Sequence, residues 1–200
     1  MIIAVTDRKI CDARNFREQA EAVISSRPDM IILREKDLSE QEYKELAEEC
    51  MRICIRHNVK FCVNSFIKAA ADIGCGRIQV PFGSLIANGG ELKRFEEVWV
   101  SVHSIREAVE AERNGASCLI YGNVFETDCK PGAEGKGMKE LKNVCISVDI
   151  PVYAIGGINA GNIGAVIDAG CKGVCVRGPF MREDPHAVTD GLRRALRERI

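Results

Sequence analysis

Cys118–Gly137 reads C-L-I-Y-G-N-V-F-E-T-D-C-K-P-G-A-E-G-K-G and holds one complete unit of the fold. Cys118, Leu119, Ile120 and Tyr121 form a short, continuous apolar run, as expected of a strand covered on both faces, and Gly122 breaks it. A polar loop, E-T-D-C-K, follows, and a glycine-rich segment leads into the next helix. A loop of this length, dense in titratable side chains, costs ordering entropy that a connector need not spend. Taken alone it reads equally well as a strand-to-helix connection. The ends of the other strands tip the balance.

Seven more apolar runs lie outward from this unit: Ile2–Thr6, Met30–Arg34, Phe61–Asn64, Arg77–Val80, Val98–Val102, Val152–Ile155 and Gly173–Val176. Helical patterns separate most of them. Ser39–His57 sets Tyr43, Leu46, Ala47, Cys50, Met51 and Cys54 on one stripe. Ser39 with Glu42 forms a capping box, and Ser104 with Glu107 repeats it. Asp184 before Pro185 is an N-cap followed by the proline of a first turn. The returns 73–76, 114–116 and 169–173 place glycine where a helix gives way to a strand. The gap between the third and fourth runs is too short for a full-sized helix. An open doubly wound sheet would carry a glycine fingerprint after its first strand, but that strand ends T-D-R-K-I. The pattern predicts α/β architecture: one compact (β/α)8 TIM barrel domain over residues 1–200.

Composition narrows the function classes. The chain has 200 residues, 46% of them hydrophobic, enough for one sizeable core. A net charge of −1 without basic runs argues against a nucleic-acid partner. No apolar run approaches a membrane span and the start is not a signal peptide, so no membrane partner and a cytoplasmic location are expected. The ten cysteines show no Cys-x-x-Cys, and the pairs Cys50/Cys54 and Cys171/Cys175 lack a partner pair at zinc-binding distance. They read as buried small hydrophobes in a reducing compartment, with Cys129 in the polar loop kept apart. Self-association is left open.

In a (β/α)8 barrel the site sits at the carboxyl ends of the strands. In order these ends are Thr6-Asp7-Arg8, Arg34-Glu35-Lys36, Asn64-Ser65, Gln79-Val80-Pro81, Ser101-Val102-His103, Gly122-Asn123, Gly156-Gly157 and Arg177-Gly178. After strand seven, Gly156 and Gly157 precede Asn159, read as the N-cap of the next helix; after strand eight, Gly178 precedes a short helical turn. Backbone N–H groups freed by glycine at these two ends are the expected phosphate grip. Arg34 and Lys36 add positive charge across the mouth.

V-T-D, L-R-E-K-D, V-N, S-V-H-S, G-x-V-F-E-T-D-C-K-x-G, A-I-G-G-I and G-V-x-V, in order and at matching spacing, resemble the thiamine phosphate synthase superfamily of (β/α)8 barrels. The resemblance implies one of two branches. A synthase joins a pyrimidine diphosphate to a thiazole phosphate and holds Mg²⁺ on two Asp residues; the matching positions here are Ser65 and Ser84. Q-V-P-x-G-S, S-V-H-S and V-F-E-T-D-C-K look instead like the TenI branch, which implies a thiazole tautomerase of thiamine biosynthesis. Such an isomerase aromatises a carboxythiazole phosphate by proton transfer, with no metal or cofactor. The leading expectation is therefore a tautomerase whose small-molecule partner is a phosphorylated thiazole. The alternatives are a thiamine phosphate synthase and a non-catalytic binder of thiazole or thiamine phosphate with a regulatory role.

That expectation assigns residues. Gly156, Gly157 and Gly178 hold the phosphate, Arg34 and Lys36 balance its charge, and Asn64, Ser101, Lys130 and Arg177 complete the polar lining. Asn123 and Thr127 orient the ring substituents. Asn123 stands where the tautomerase carries its acid/base His, and an amide does not exchange protons near neutrality. His103 is the favoured proton carrier; Cys129 or Glu126 in that role, or loss of catalysis, stay open.

Overall fold

A computed structural model describes residues 1–11, 15–127, 132 and 134–198. Eight parallel strands close into a barrel in sequence order. They are β1 (Ile2–Val5), β2 (Met30–Leu33), β3 (Lys60–Asn64), β4 (Arg77–Pro81), β5 (Glu97–Val102), β6 (Cys118–Gly122), β7 (Val152–Ile155) and β8 (Gly173–Val176). Each matches its predicted run to within one residue at either end. Closure comes from β1, where Ala4 pairs with Ile31 of β2 and Val176 of β8. A closed sheet leaves no unpaired edge.

Around it lie α1 (Phe16–Ser25), α2 (Glu40–His57), α3 (Ile67–Asp72), α4 (Phe82–Leu92), α5 (Ile105–Arg113), α6 (Gly137–Ser147), α7 (Ile163–Asp168), α8 (Gly178–Arg182) and α9 (Pro185–Arg197). The short gap after β3 holds only the six residues of α3, as its length predicts. The box on α2 forms in full, the Ser39 hydroxyl accepting from the Glu42 N–H and the Glu42 carboxylate from the Ser39 N–H. Such a cap contributes about 1 kcal/mol. At α5 the reciprocal bond is displaced: Ser104 accepts from the Glu107 N–H, but Glu107 takes the N–H of His103, 2.7 Å away. Asp184 caps α9 by accepting from the His186 N–H. The cap expected at Asn159 falls three residues later, at Asn162. Asn159 instead accepts from the Gly161 N–H and stabilises the turn before α7.

The core has two concentric layers. Strand residues alternate, so Ile3 and Val5 of β1 point into the barrel while Ile2 and Ala4 face the helices. The interior is filled by Met30, Ile32, Cys62, Trp99, Ile120 and Tyr153, with the Trp99 and Tyr153 rings 4.6 Å apart. The outer layer takes Tyr43, Leu46, Ala47, Cys50 and Cys54 of α2, as the stripe predicts. Burial pushes the Cys50 and Cys118 thiols up to about 12, so both stay protonated and pack as small hydrophobes. No helix among the described residues is long and apolar enough to cross a membrane.

Candidate functional site

A cavity of about 620 Å³ opens at the carboxyl ends of the strands. Arg34, Lys36, Asn64, Ser101, His103, Asn123, Thr127, Gly156, Gly157, Arg177 and Gly178 all line it. Its floor is apolar, from Val5, Ile32, Ile120, Ile155 and Cys175. Lys130 and Cys129 lie outside the described residues. A second cavity of about 620 Å³ sits at the opposite end among Met1, Asp29, Arg56, Lys60 and Arg193. It receives none of the strand-end groups at the carboxyl face, where barrels of this kind do their chemistry.

The β1–β2–β8 side of the mouth is charged. Asp7, just past β1, reaches both neighbours: its Oδ2 lies 3.4 Å from Arg34 Nη1 and 3.3 Å from Arg177 Nη1. Beneath, Glu35 is buried and accepts from the Thr6 hydroxyl at 2.6 Å and the Arg8 N–H at 3.0 Å. Thr6 Oγ1 in turn accepts from the Arg34 N–H. Burial raises the Glu35 carboxyl above its ordinary value, opposed by those two donors. Sequence reasoning placed Asp7 at a strand end and gave it no role. The signal was there in V-T-D, but its two arginine partners become adjacent only when the barrel closes.

The β3–β4–β5 side is neutral. Asn64 Nδ2 donates to Gln79 Oε1, and Gln79 Nε2 donates to Ser101 Oγ at 2.9 Å. Asn64 and Gln79 are both buried, and their amides lock each other's orientation. The Asn64 backbone N–H is held by the Tyr43 hydroxyl, which itself donates to the Leu33 carbonyl. Gln79 was read as a strand-end residue only; its joining of two predicted site residues is a cross-strand contact that no sequence spacing reports.

The loops after β6 and β7 press together. Gly156 has φ +103, and a Cβ there would lie 2.5 Å from the Asn123 Cβ. Gly157, at φ +65, would meet the Glu126 carbonyl oxygen at 2.5 Å. The G-G pair is therefore required by close packing, whatever it does for an anion. Asn123 is buried, its Nδ2 lying 3.4 Å from the Phe125 and Glu134 carbonyl oxygens. His103 is exposed on the rim. Its Nδ1 sits 2.6 Å from the Gly122 carbonyl, which can only accept, so Nδ1 carries the proton and Nε2 is the acceptor of the neutral ring.

A family model described as thiamine monophosphate synthase matches residues 2–180. This chain belongs to that family. Among its relatives, a thiamine-phosphate synthase of Clostridium acetobutylicum is 36% identical over 174 residues, covering 86% of this chain and 82% of the relative. One of Pyrococcus abyssi is 32% identical over 200 residues, covering 98% and 95%. The solved thiamine phosphate pyrophosphorylase from Pyrococcus furiosus superposes with a TM-score of 0.85 at 27% identity, over 98% of this chain and 95% of that one. Two of these relatives are named for synthase activity and the third for pyrophosphorylase activity, each on thiamine phosphate.

The comparisons correct the expectation of a tautomerase. Relatives of Clostridium acetobutylicum, Caldanaerobacter subterraneus and Pyrococcus abyssi, at 30–36% identity over most of the chain, carry the synthase name, and none of these names supports the TenI branch or an isomerase. The residue in the proton carrier's place, Asn123, is an amide beside loop carbonyls, while the His103 Nδ1–H is held by a backbone oxygen and Nε2 remains the ring's acceptor.

Membership in the thiamine monophosphate synthase family implies Mg²⁺, and the hydroxyls at the two matching positions do not fit it. Ser65, at φ 65, has a buried hydroxyl with no hydrogen-bond partner, and Ser84 Oγ accepts from Asn88 Nδ2 at 3.2 Å. Among the described residues no three His, Cys, Asp or Glu side chains gather as a metal-binding group. Mg²⁺ favours carboxylate and phosphate oxygens in octahedral geometry, and neutral hydroxyls beside amides do not supply it.

Proposed function

We propose that this chain performs thiamine-phosphate synthase chemistry in the barrel mouth, joining a phosphorylated thiazole to a pyrimidine that bears a diphosphate leaving group. The observation that carries the reading is the division of the mouth into a cationic half and a neutral amide half, on a chain related to synthases along nearly its whole length. In this reading the thiazole nitrogen lone pair forms a bond to the pyrimidine methylene carbon while the carbon–oxygen bond to diphosphate breaks. The electron pair leaves with pyrophosphate. No base is needed for the bond-forming step, so an amide at position 123 is no obstacle.

Arg34, Lys36, Arg177 and Arg182 would face the phosphate oxygens, where charge-assisted bonds contribute most. Gly157 and Gly178 let the backbone approach the same anion. Asn64, Gln79 and Ser101 would hold the pyrimidine edge, while Asn123, Thr127 and the His103 Nε2 orient ring substituents. The same reading places the chain in the cytoplasm. Purified protein given both substrates, with and without Mg²⁺, should release pyrophosphate and form thiamine phosphate. The second reading, a non-catalytic binder of the phosphorylated thiazole, is favoured by the hydroxyls of Ser65 and Ser84. No product under either condition, with calorimetric binding of thiazole phosphate, would establish the binder and end the synthase proposal.

A further inference from the structure

Along the chain the closely spaced cysteines are Cys50 with Cys54 and Cys171 with Cys175. The fold makes a different pair. Cys145, in the last turns of α6, and Cys171, in the turn between α7 and β8, bring their sulfurs to 3.7 Å across 26 residues of chain. Both are free thiols, Cys145 half-buried and Cys171 only 4% exposed. Among the described residues no other two sulfurs are in hydrogen-bond contact. The turn is held close to α6 by Gly170, whose φ is +107 and where a Cβ would lie 3.1 Å from that of Cys145.

We infer that Cys145 and Cys171 form a modification site, oxidised to a disulfide by small-molecule disulfides of the glutathione class. Either sulfur can donate to the other; with Cys171 S–H as the donor a thiolate on Cys145 is stabilised, which lowers the Cys145 thiol and raises that of Cys171. The half-buried Cys145 is the more reachable sulfur and reacts first. Its thiolate attacks one sulfur of glutathione disulfide, releasing one glutathione and forming a mixed disulfide. Cys171 then gives up its proton to solvent and attacks Cys145 Sγ, displacing the second glutathione. The protein loses two protons and two electrons; glutathione disulfide gains them and leaves as two glutathione thiols.

The bond would tie α6 to the turn before β8. The other end of α6 is fastened to the mouth, its Gly137 N–H donating to the Val124 carbonyl and the Lys136 N–H to that of Asn123. Cys171 lies two residues before β8, the strand that delivers Arg177 and Gly178. Closing this loop restricts the unfolded chain, and an increase of about 5 °C in melting temperature follows from the usual effect of such a link in a domain of this size.

The test is incubation of the native protein with glutathione disulfide, followed by intact mass and non-reducing peptide mapping. The expected result is a loss of two hydrogens, one linked peptide pair joining residues 145 and 171, and the higher melting temperature, all reversed by dithiothreitol. Cys171→Ser should instead stop at a stable glutathione adduct on Cys145, and Cys145→Ser should give no link to Cys171. A wild-type protein that ends as the adduct, links other cysteines, or forms the pair only after denaturation would overturn the inference. Circular dichroism of both variants separates loss of the link from loss of fold, and Cys145→Ala is the second check if Ser is not tolerated.

Discussion

The two halves of the barrel mouth are built from opposite materials. Across β1, β2 and β8, one carboxylate, Asp7, holds two guanidiniums in place, and a second, Glu35, is buried below them. Across β3, β4 and β5 the lining is two amides and a hydroxyl joined end to end, with no formal charge. A charged half can attract an anion from a distance and give up its internal ion pairs to it. The neutral half offers fixed donors and acceptors, which suit a flat heterocycle and hold a dication poorly. In the proposed function the phosphate lies on the charged side of the mouth and the uncharged ring on the neutral side.

The most severe way to break that division is to remove both guanidiniums. Arg34→Ala with Arg177→Ala should weaken thiazole phosphate binding by about 100-fold or more, since each hydrogen bond to a charged group contributes about 1.5–3 kcal/mol. The corresponding thiazole alcohol, lacking the phosphate, should bind the variant and the native protein alike. Titration calorimetry with the two ligands decides; equal weakening for both would erase the distinction between the halves.

A smaller effect is expected on the neutral side. Gln79→Ala removes the centre of the amide chain and leaves the buried Asn64 Nδ2 without its closest acceptor, at a cost of about 1–3 kcal/mol in urea unfolding. Thiazole phosphate affinity should stay within about threefold of native, because no charge is touched. A larger loss of phosphate affinity than of stability would place the anion on the amide side instead.

Much of this architecture is legible in the sequence because strands and caps are local. An apolar run such as Val152–Ile155 or a box such as Ser39–Glu42 carries its own physics in a few adjacent residues. The mouth residues were also legible, since a barrel exposes whatever follows each strand. What the sequence hid were contacts between strands. Asp7 meets Arg177 only through closure of β1 on β8, Gln79 meets Ser101 only across β4 and β5, and Cys145 meets Cys171 only once α6 packs beside α7. The choice of branch failed for a related reason. Ser65 and Ser84 in place of two Asp, with three short motifs, decided for the TenI branch, whereas the overall likeness to synthases runs through the whole chain.

The smallest expected effect concerns Glu35, the buried carboxylate of the charged half. Its folded-state pKa lies above the ordinary 4.5, chiefly because burial disfavours the charged form. Between 4.5 and that raised value the folded chain binds more protons than the unfolded one, so stability falls as pH climbs through the window. The contribution is fully present below 4.5 and lost above the raised value. Asp37, Glu42 and Asp72 are shifted the other way by their hydrogen bonds, so their stabilising contributions are lost only as pH falls below their ordinary range. The window above 4.5 therefore reports on Glu35 apart from them. Glu35→Gln should be less stable overall, since its amide nitrogen would face the Arg8 N–H. Its stability should also lack the decline with pH seen in the native protein across that window. Parallel pH profiles in chemical unfolding would instead mean that Glu35 stays ionised throughout, held by Thr6 and Arg8 strongly enough to offset its burial.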